Sequence, residues 1–485
     1  QVVPSLPSIT SYGRPAGGAR NTLLFRAELP PLGFRTYRLE HASGPSAPRK
    51  ASAEQSGAGG PVALENEFLR AEFCPRMKVL HRITDKIGNV TIRAHQSWFW
   101  YKAAEGNKES SQASGAYIFR PNGSTATPIG EGVPDLRVVR GALADEVLQT
   151  FSPWVSQRVR LAKGARHLEI TYTVGPIPVQ DSVGKEVITR IRTDVENAGE
   201  CYTDSNGRDM ILRQRDHRQS WKYNATDHGE PVSGNYFPIT TAIFMRDRRT
   251  QLTVLTDRAQ SASGSVRDGE LEVMVHRRLL KDDARGVGEP LNETEFISPY
   301  VGQNQAVPSG PGLVVRGQLR LLMGAPEKAA AVWRAEMDRT YHAPMPVFLA
   351  RGSSASPAAR FSGLAEALPS SVQLVSLEPL GEGKVMVRLA HQFGVGEDAE
   401  LSRPATVDLA RVFAGWRVVG VQERGLTGTI PRDEVLQRRV AWSIEGEGPS
   451  PVQRSVEGGS PTEVTLGPLQ IRTFHLAVTA PEVYV

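Results

Sequence analysis

An all-β chain is what this sequence predicts, with a large antiparallel β-sandwich followed by a smaller C-terminal β-sandwich. Three observations carry that expectation. Strand-like alternating runs recur every ten to fifteen residues from Pro61 onward. Turn-forming residues, 46 glycines and 34 prolines, are spread through all 485 positions. A helical pattern is convincing only at residues 325–341, APEKAAAVWRAEMDRTY, where Pro326 suits a first turn and three alanines follow. At this length one hydrophobic core does not suffice, so two or three domains are expected.

Residues 1–40 hold two short alternating segments, NTLLFRAELP and FRTYRLE, around the turn Pro30-Pro31-Leu32-Gly33. With no core of their own they read as closing strands of a preceding β domain. Residues 41–60 fall to Ser, Ala, Gly and Pro and read as a linker. From 61 to 350, runs such as VALENEFLRAEF, KVLHRITD, SWFWYKA, LRVVRG, VSQRVRLA, HLEITYTV and KEVITRIRT build the large sandwich. Residues 351–360 are a second low-complexity link. The smaller β domain, 361–485, follows from alternation at 372–377, 384–389, 417–421 and 469–476.

Composition excludes several classes. The balance of 57 Lys and Arg against 52 Asp and Glu, net +5, is interspersed with acids, and no basic stripe or motif argues for nucleic acid. No apolar run approaches the roughly 18–20 residues that span a bilayer, so no membrane span is expected. The first residues, QVVPSLPSIT, lack the charged and apolar regions of a signal peptide, and read as the inside of a longer precursor. Cys74 and Cys201 allow at most one disulfide and no cysteine metal cluster. Asn89, Asn122, Asn224 and Asn292 each open an Asn-x-Ser/Thr sequon, and four in one chain favour the secretory pathway.

Several stretches carry candidate chemistry. At 252–289, LTVLTDRAQSASGSVRDGELEVMVHRRLLKDDARGVGE, two strands lead into a loop with Asp282, Asp283 and Arg285 ahead of Gly286 and Gly288. Glycine permits close backbone approach and a planar guanidinium suits hydroxyls or carboxylates, so the loop reads as polar recognition or as a solvated turn with local ion pairs. Asp282 and Asp283, as neighbours, tend to point apart and read as supporting residues and not as a glycosidase pair, whose carboxyls flank a substrate. Tyr117 follows the small residues Ser114-Gly115-Ala116 at a strand start; a substrate-binding phenol and a structural tyrosine are both open readings. The four aromatics Trp98-Phe99-Trp100-Tyr101 suit sugar stacking, but alternation sends them to both faces of a strand and favours core. His217 beside Asp216 has no second spaced ligand and reads as surface loop. Trp221 is an aromatic anchor between polar loops.

These same stretches, ESSQASGAYIFRPNG, VGPIPVQDSVGKEVITR, RQRDHRQSWKYNAT, PVSGNYFPI, the 252–292 block, HQFGVGED and LGPLQIRTF, occur in family order. They resemble the C-terminal half of the lysosomal-type alpha-mannosidases, glycoside hydrolase family 38. Cys74, Cys201 and the 41–60 stretch depart from the family pattern. The resemblance implies that the catalytic α/β barrel and helix bundle, with their zinc ligands, nucleophile and acid/base, lie outside this chain. It implies a C-terminal subunit of a retaining alpha-mannosidase acting on mannose-containing N-glycans in a lysosome or vacuole or after secretion. Its partners would be the N-terminal catalytic chain, which holds zinc, and a second copy in a homodimer. Tyr117 resembles the family tyrosine that hydrogen-bonds mannose, and Arg285 resembles the arginine lining the same cleft; both are expected on one rim of the large sandwich. The competing expectation is a non-catalytic β-sandwich that binds glycan or another chain.

Overall fold

The computed structural model describes residues 1–5, 19–40, 52–55, 61–108, 111–224, 229–264, 266–298, 307–349, 358–440 and 460–479. Residues 351–357 of the expected link at 351–360, the larger part of that at 41–60, and Ala225 and Thr226 of one sequon lie outside them, while Arg360 belongs to a strand. The chain divides into one unit of 1–26 with 42–343 and a second of 27–41 with 344–485. The expected closing segment 1–40 is therefore shared between the two units. Its first part joins the large unit through Gln1, whose side chain donates to the Ala144 carbonyl at 2.9 Å and accepts from the Leu143 amide at 2.8 Å. Its second part pairs Phe34–Arg35 with Arg360–Phe361, and the two phenylalanine rings stack at 6.0 Å. The stretch expected as a linker at 41–60 contributes a strand, Ser52–Gln55, to the large unit, paired with Asp135–Arg140.

Among the described residues the large unit is built on two large antiparallel sheets, one of nine strands and one of ten, beside three two-stranded pairs. Central to the first are β1 (Val90–Lys102), β2 (Lys185–Thr193) and β3 (Glu270–Arg278), with β2 between the other two. Their alternation sets which side chains meet. Trp98, Val187, Ile191, Leu271 and Val273 face the second sheet's Val147, Val159, Ile170, Leu252, Val254 and Leu321 in one continuous core. A cluster of polar groups inside that core is hydrogen-bonded: Trp98 Nε1 donates to Gln157 Oε1 at 2.6 Å, and Gln157 bonds Gln96 and Gln149. The aromatic run divides as alternation predicts. Trp98 and Trp100 enter the sandwich core, whereas Phe99 and Tyr101 face outward onto Phe119, Ile188, Val232 and Tyr236.

The helix α1 (Pro326–Tyr341) lies on the outer face of the ten-stranded sheet, where Trp333 and Met337 pack on Ala242, Leu255 and Leu322. The second unit is a four-stranded sheet with shorter pairs, closed around Val387, Leu389, Val407, Phe413, Leu466 and Phe474. It carries two short helices, Leu409–Val412 and Arg432–Arg438, too brief for their pattern to show in the sequence. No described helix is long and apolar enough to cross a membrane. Cys74 and Cys201 are not joined by a disulfide.

Candidate functional site

The site forms at one end of β1–β3, on the sheet face turned away from the core. Register between β2 and β3 steps where Val187 faces His276 and Ile188 faces Met274, leaving Val275 as the extra residue of a bulge. The extra residue turns Arg277 onto the outer face, directly opposite Glu186. Arg277 Nε donates to Glu186 Oε2 at 2.5 Å and its Nη2 to Oε1 at 3.1 Å, on a side chain with no exposed surface. A bare carboxylate would not be tolerated there; the bidentate guanidinium makes its burial possible. The pair also reaches out of the sheet. Arg277 Nη2 donates to the Ile118 carbonyl at 2.8 Å, and Ser114 Oγ donates to Glu186 Oε1.

Asp283 is the second anchor. Fully buried in the loop after β3, it accepts the amides of Tyr117 at 2.7 Å and Ile118 at 2.9 Å on Oδ2, and that of Arg285 at 3.1 Å on Oδ1. Its carbonyl accepts from Gln112 Nε2 at 2.6 Å. Gly115 makes this approach possible, because a Cβ there would lie 2.6 Å from the Asp283 Cβ and amide. The small residues before Tyr117 are thus a seat for Asp283.

Over this buried carboxylate two polar side chains leave the loops. Tyr117 is 65% exposed and Arg285 is exposed as well. The structure therefore brings Tyr117, Asp283 and Arg285 together, although 166 positions separate the first two. Asp282 has a different partner, accepting the Ala284 amide at 3.0 Å, so the adjacent carboxylates do not converge on one point. A phenol and a guanidinium held on fixed backbone bind and position hydroxyls or anions. Among the described residues no group of three or more His, Cys, Asp or Glu is placed to hold a metal ion.

A third carboxylate fixes the neighbouring loop. Glu272 on β3, 1% exposed, accepts from Tyr101 at 3.1 Å, from Arg190 Nε at 2.6 Å and from the Tyr236 hydroxyl. Burial, then the Glu272 charge, pushes the Tyr101 and Tyr236 phenols well above their ordinary range. Burial works against the Arg190 charge, but Glu272, Tyr101 and Glu270 outweigh it and raise its pKa. Tyr236 meets Phe119 edge-on at 4.9 Å, and Arg120 bridges to Glu230 at 3.0 Å, so the loop ending at Tyr236 abuts the loop of Tyr117.

Of the sequon asparagines, Asn89, Asn122 and Asn224 are exposed. Asn292 is half-buried and its Oδ1 accepts from Arg278 Nε at 2.7 Å. Sequence reasoning missed Ser114, Glu186, Arg277 and Glu272. A charged residue at an outward position between core residues, as in KEVITRIRT, was the available signal, but the bulge that pairs Glu186 with Arg277 leaves no mark in the pattern.

Residues 64–285 match the profile of the Glycosyl hydrolases family 38 C-terminal domain, a span that holds Tyr117 and ends on Arg285. The chain is 42% identical over 471 residues to lysosomal alpha-mannosidase of Homo sapiens, covering 95% of this chain and 44% of that one. It is 37% identical over 463 residues to alpha-mannosidase of Canavalia ensiformis, covering 93% and 46%. A crystal structure of an alpha-mannosidase from Enterococcus faecalis V583 shares the fold, with a TM-score of 0.53 at 13% identity over 87% of this chain and 43% of that one. The chain spans less than half the length of the curated relatives named here, and its match to the human protein lies in that protein's C-terminal part. By sequence and by fold, this chain belongs to glycosyl hydrolase family 38 and carries the family's C-terminal domain.

Proposed function

We propose that this chain is the C-terminal part of a retaining alpha-mannosidase that removes terminal alpha-linked mannose from N-glycans, and that Tyr117 and Arg285 complete a cleft on its N-terminal part. The observation that carries this reading is Asp283, one buried carboxylate that fixes the backbone of both residues while their side chains stay exposed. Holding polar groups in place before substrate arrives lowers the cost of ordering them on binding. Tyr117 orients the sugar through a hydroxyl hydrogen bond, and Arg285 binds hydroxyls or steadies catalytic carboxylates; Asp282 and Asp283 support them. The nucleophile, the acid/base and the zinc that orients sugar hydroxyls belong to the N-terminal part. A lysosomal setting is supported by relatives named lysosomal and by the sequons.

The test compares this chain alone with the protein that also contains its N-terminal part. Hydrolysis of a chromogenic alpha-mannoside, with bound zinc, is expected only in the second. Activity of the isolated chain overturns the division of labour. A complete protein that binds glycan without hydrolysing it overturns the enzymatic reading in favour of a glycan-binding chain.

A further inference from the structure

Beyond the mannosidase reading, the large unit holds a cleft of about 150 Å³ whose lining includes neither Tyr117 nor Arg285. Three parts of the fold wall it. Phe68 and Leu69 lie at the start of the strand Leu69–Phe73, and Ile87 lies in the turn before β1, all on the side of the nine-stranded sheet. Leu322 and Met323 belong to the strand Val315–Gly324 of the ten-stranded sheet. Ala329 and Val332 come from the first two turns of α1. Gly324, the last residue of its strand, leaves room in the cleft, because a Cβ there would meet nothing within 4 Å.

The walls decide what enters. They are mainly apolar, and their two buried polar side chains are paired with each other, Gln251 Nε2 donating to Thr253 Oγ1 at 3.0 Å. No lining side chain keeps a buried polar atom without a partner. A sugar would bring hydroxyls that such walls leave unpaired, at a cost an apolar body does not meet. A volume of this order, so lined, takes about one benzene-sized ring. The mouth has a different character. Arg166 lies over the Phe68 ring at 4.7 Å and Lys328 stands in the first turn of α1, both exposed. Neither has an ion pair among the described residues. Asp85, the acid of the lining, already accepts the Ile87 amide at 3.0 Å on Oδ1. Two cations without acid partners, against one carboxylate engaged in its own turn, select an anionic head group.

We propose that this cleft binds a small amphipathic carboxylate, with an apolar ring or short acyl chain over Leu322, Met323 and Val332 and its carboxylate at Lys328 and Arg166. Such a ligand touches both sheets and α1 at once. Because the walls come together only in the folded chain, occupancy raises Tm. The apolar body supplies most of the affinity, and the exposed cations supply the preference for an acid over the matching alcohol, a preference that salt weakens.

Ligand-observed saturation-transfer NMR and thermal melts on the complete protein test this, with phenylpropionate, hexanoate and phenylpropanol as probes. Both acids are expected to raise Tm, and phenylpropionate to bind several-fold more tightly than phenylpropanol; the tighter of the two acids tells a ring from a chain as the preferred body. Gly324→Leu, which fills the cleft from a position with room for a side chain, should abolish binding of all three while keeping Tm. Lys328→Glu, on an exposed position of α1, should bring phenylpropionate down to the level of phenylpropanol and leave the alcohol unchanged. Hydrolysis of a chromogenic alpha-mannoside should be the same in both variants as in the natural chain. No binding of either acid, equal binding of phenylpropionate and phenylpropanol to the natural chain, binding that survives Gly324→Leu, or displacement of the probes by methyl alpha-mannoside overturns the proposal.

Discussion

The two outer faces of the large sandwich are covered by different physics. On the ten-stranded sheet, α1 lays Trp333 and Met337 over Ala242, Leu255 and Leu322, an apolar contact that needs little directional chemistry. On the nine-stranded sheet the cover is loop, and its anchors are the buried carboxylates Glu186, Glu272 and Asp283. These loops bury some apolar surface, with Phe119, Val232 and Tyr236 packed on Phe99, Tyr101 and Ile188, but polar anchors set where they sit. Each is tied down through a carboxylate: Asp283 accepts the Tyr117 and Ile118 amides, Glu186 the Ser114 hydroxyl and Glu272 the Tyr236 hydroxyl. The difference is between a cover that contributes stability and a cover that fixes position. Position is what exposed Tyr117 and Arg285 require.

That contrast breaks most sharply at Asp283. Asp283→Ala leaves the amides of Tyr117, Ile118 and Arg285 without their acceptor, at about 1–3 kcal/mol for each donor that water cannot reach. In the complete protein the expected loss of kcat/KM exceeds that of any single change at Tyr117, because both side chains proposed to bind substrate lose their backbone reference. Steady-state kinetics beside a thermal melt would check this, and an active, stable Asp283→Ala protein sinks the anchoring argument. Gly115→Ala should approach the same phenotype from the other loop, since its methyl would lie 2.6 Å from the Asp283 amide. If Gly115→Ala behaves like the natural chain, the loops are not closely seated.

How far the sequence spoke follows the same divide. Period-two alternation and turn residues revealed the sheets, and Pro326 with the alanine run revealed α1, because both signals are local. Tyr117, Asp283 and Arg285 stood out singly through glycines, a phenol and a charged loop. What stayed hidden was non-local: the step in register beside Val187 that sets Arg277 against Glu186, and the approach of Gly115 to Asp283. The strand at Ser52–Gln55 was hidden as well, since a stretch poor in large apolar residues carries no alternation to read.

The apolar cover has a buried carboxylate of its own, and pH tests what it contributes. Glu336 on α1 lies 3.1 Å from His167 Nδ1, 3.2 Å from Arg320 and beside Arg339. Burial alone would raise its pKa, but His167 and Arg339 outweigh it and hold the carboxyl down at about 2, against an ordinary 4.5. A depressed pKa means stability present above 4.5 and lost as pH falls through about 2, at most about 3 kcal/mol in all. Glu336→Gln should therefore lower Tm at pH 5, with the gap closing at strongly acid pH. An equal gap at every pH would show that the helix is held by packing alone.

The smallest effect is expected where the display meets the substrate. Tyr117→Phe removes one hydroxyl from a side chain that is 65% exposed, and no described hydrogen bond within the chain involves that hydroxyl. Its Tm should stay unchanged, unlike that of Asp283→Ala, because the amide of residue 117 still reaches Asp283. In the complete enzyme the same change should weaken transition-state binding by ~1–2 kcal/mol, the usual loss of one hydrogen bond to a bound sugar, with zinc content unaltered. A fall in kcat/KM with unchanged Tm places Tyr117 on the substrate. A fall in Tm, or unchanged kinetics, would move it into the scaffold and leave Arg285 alone above the shared carboxylate.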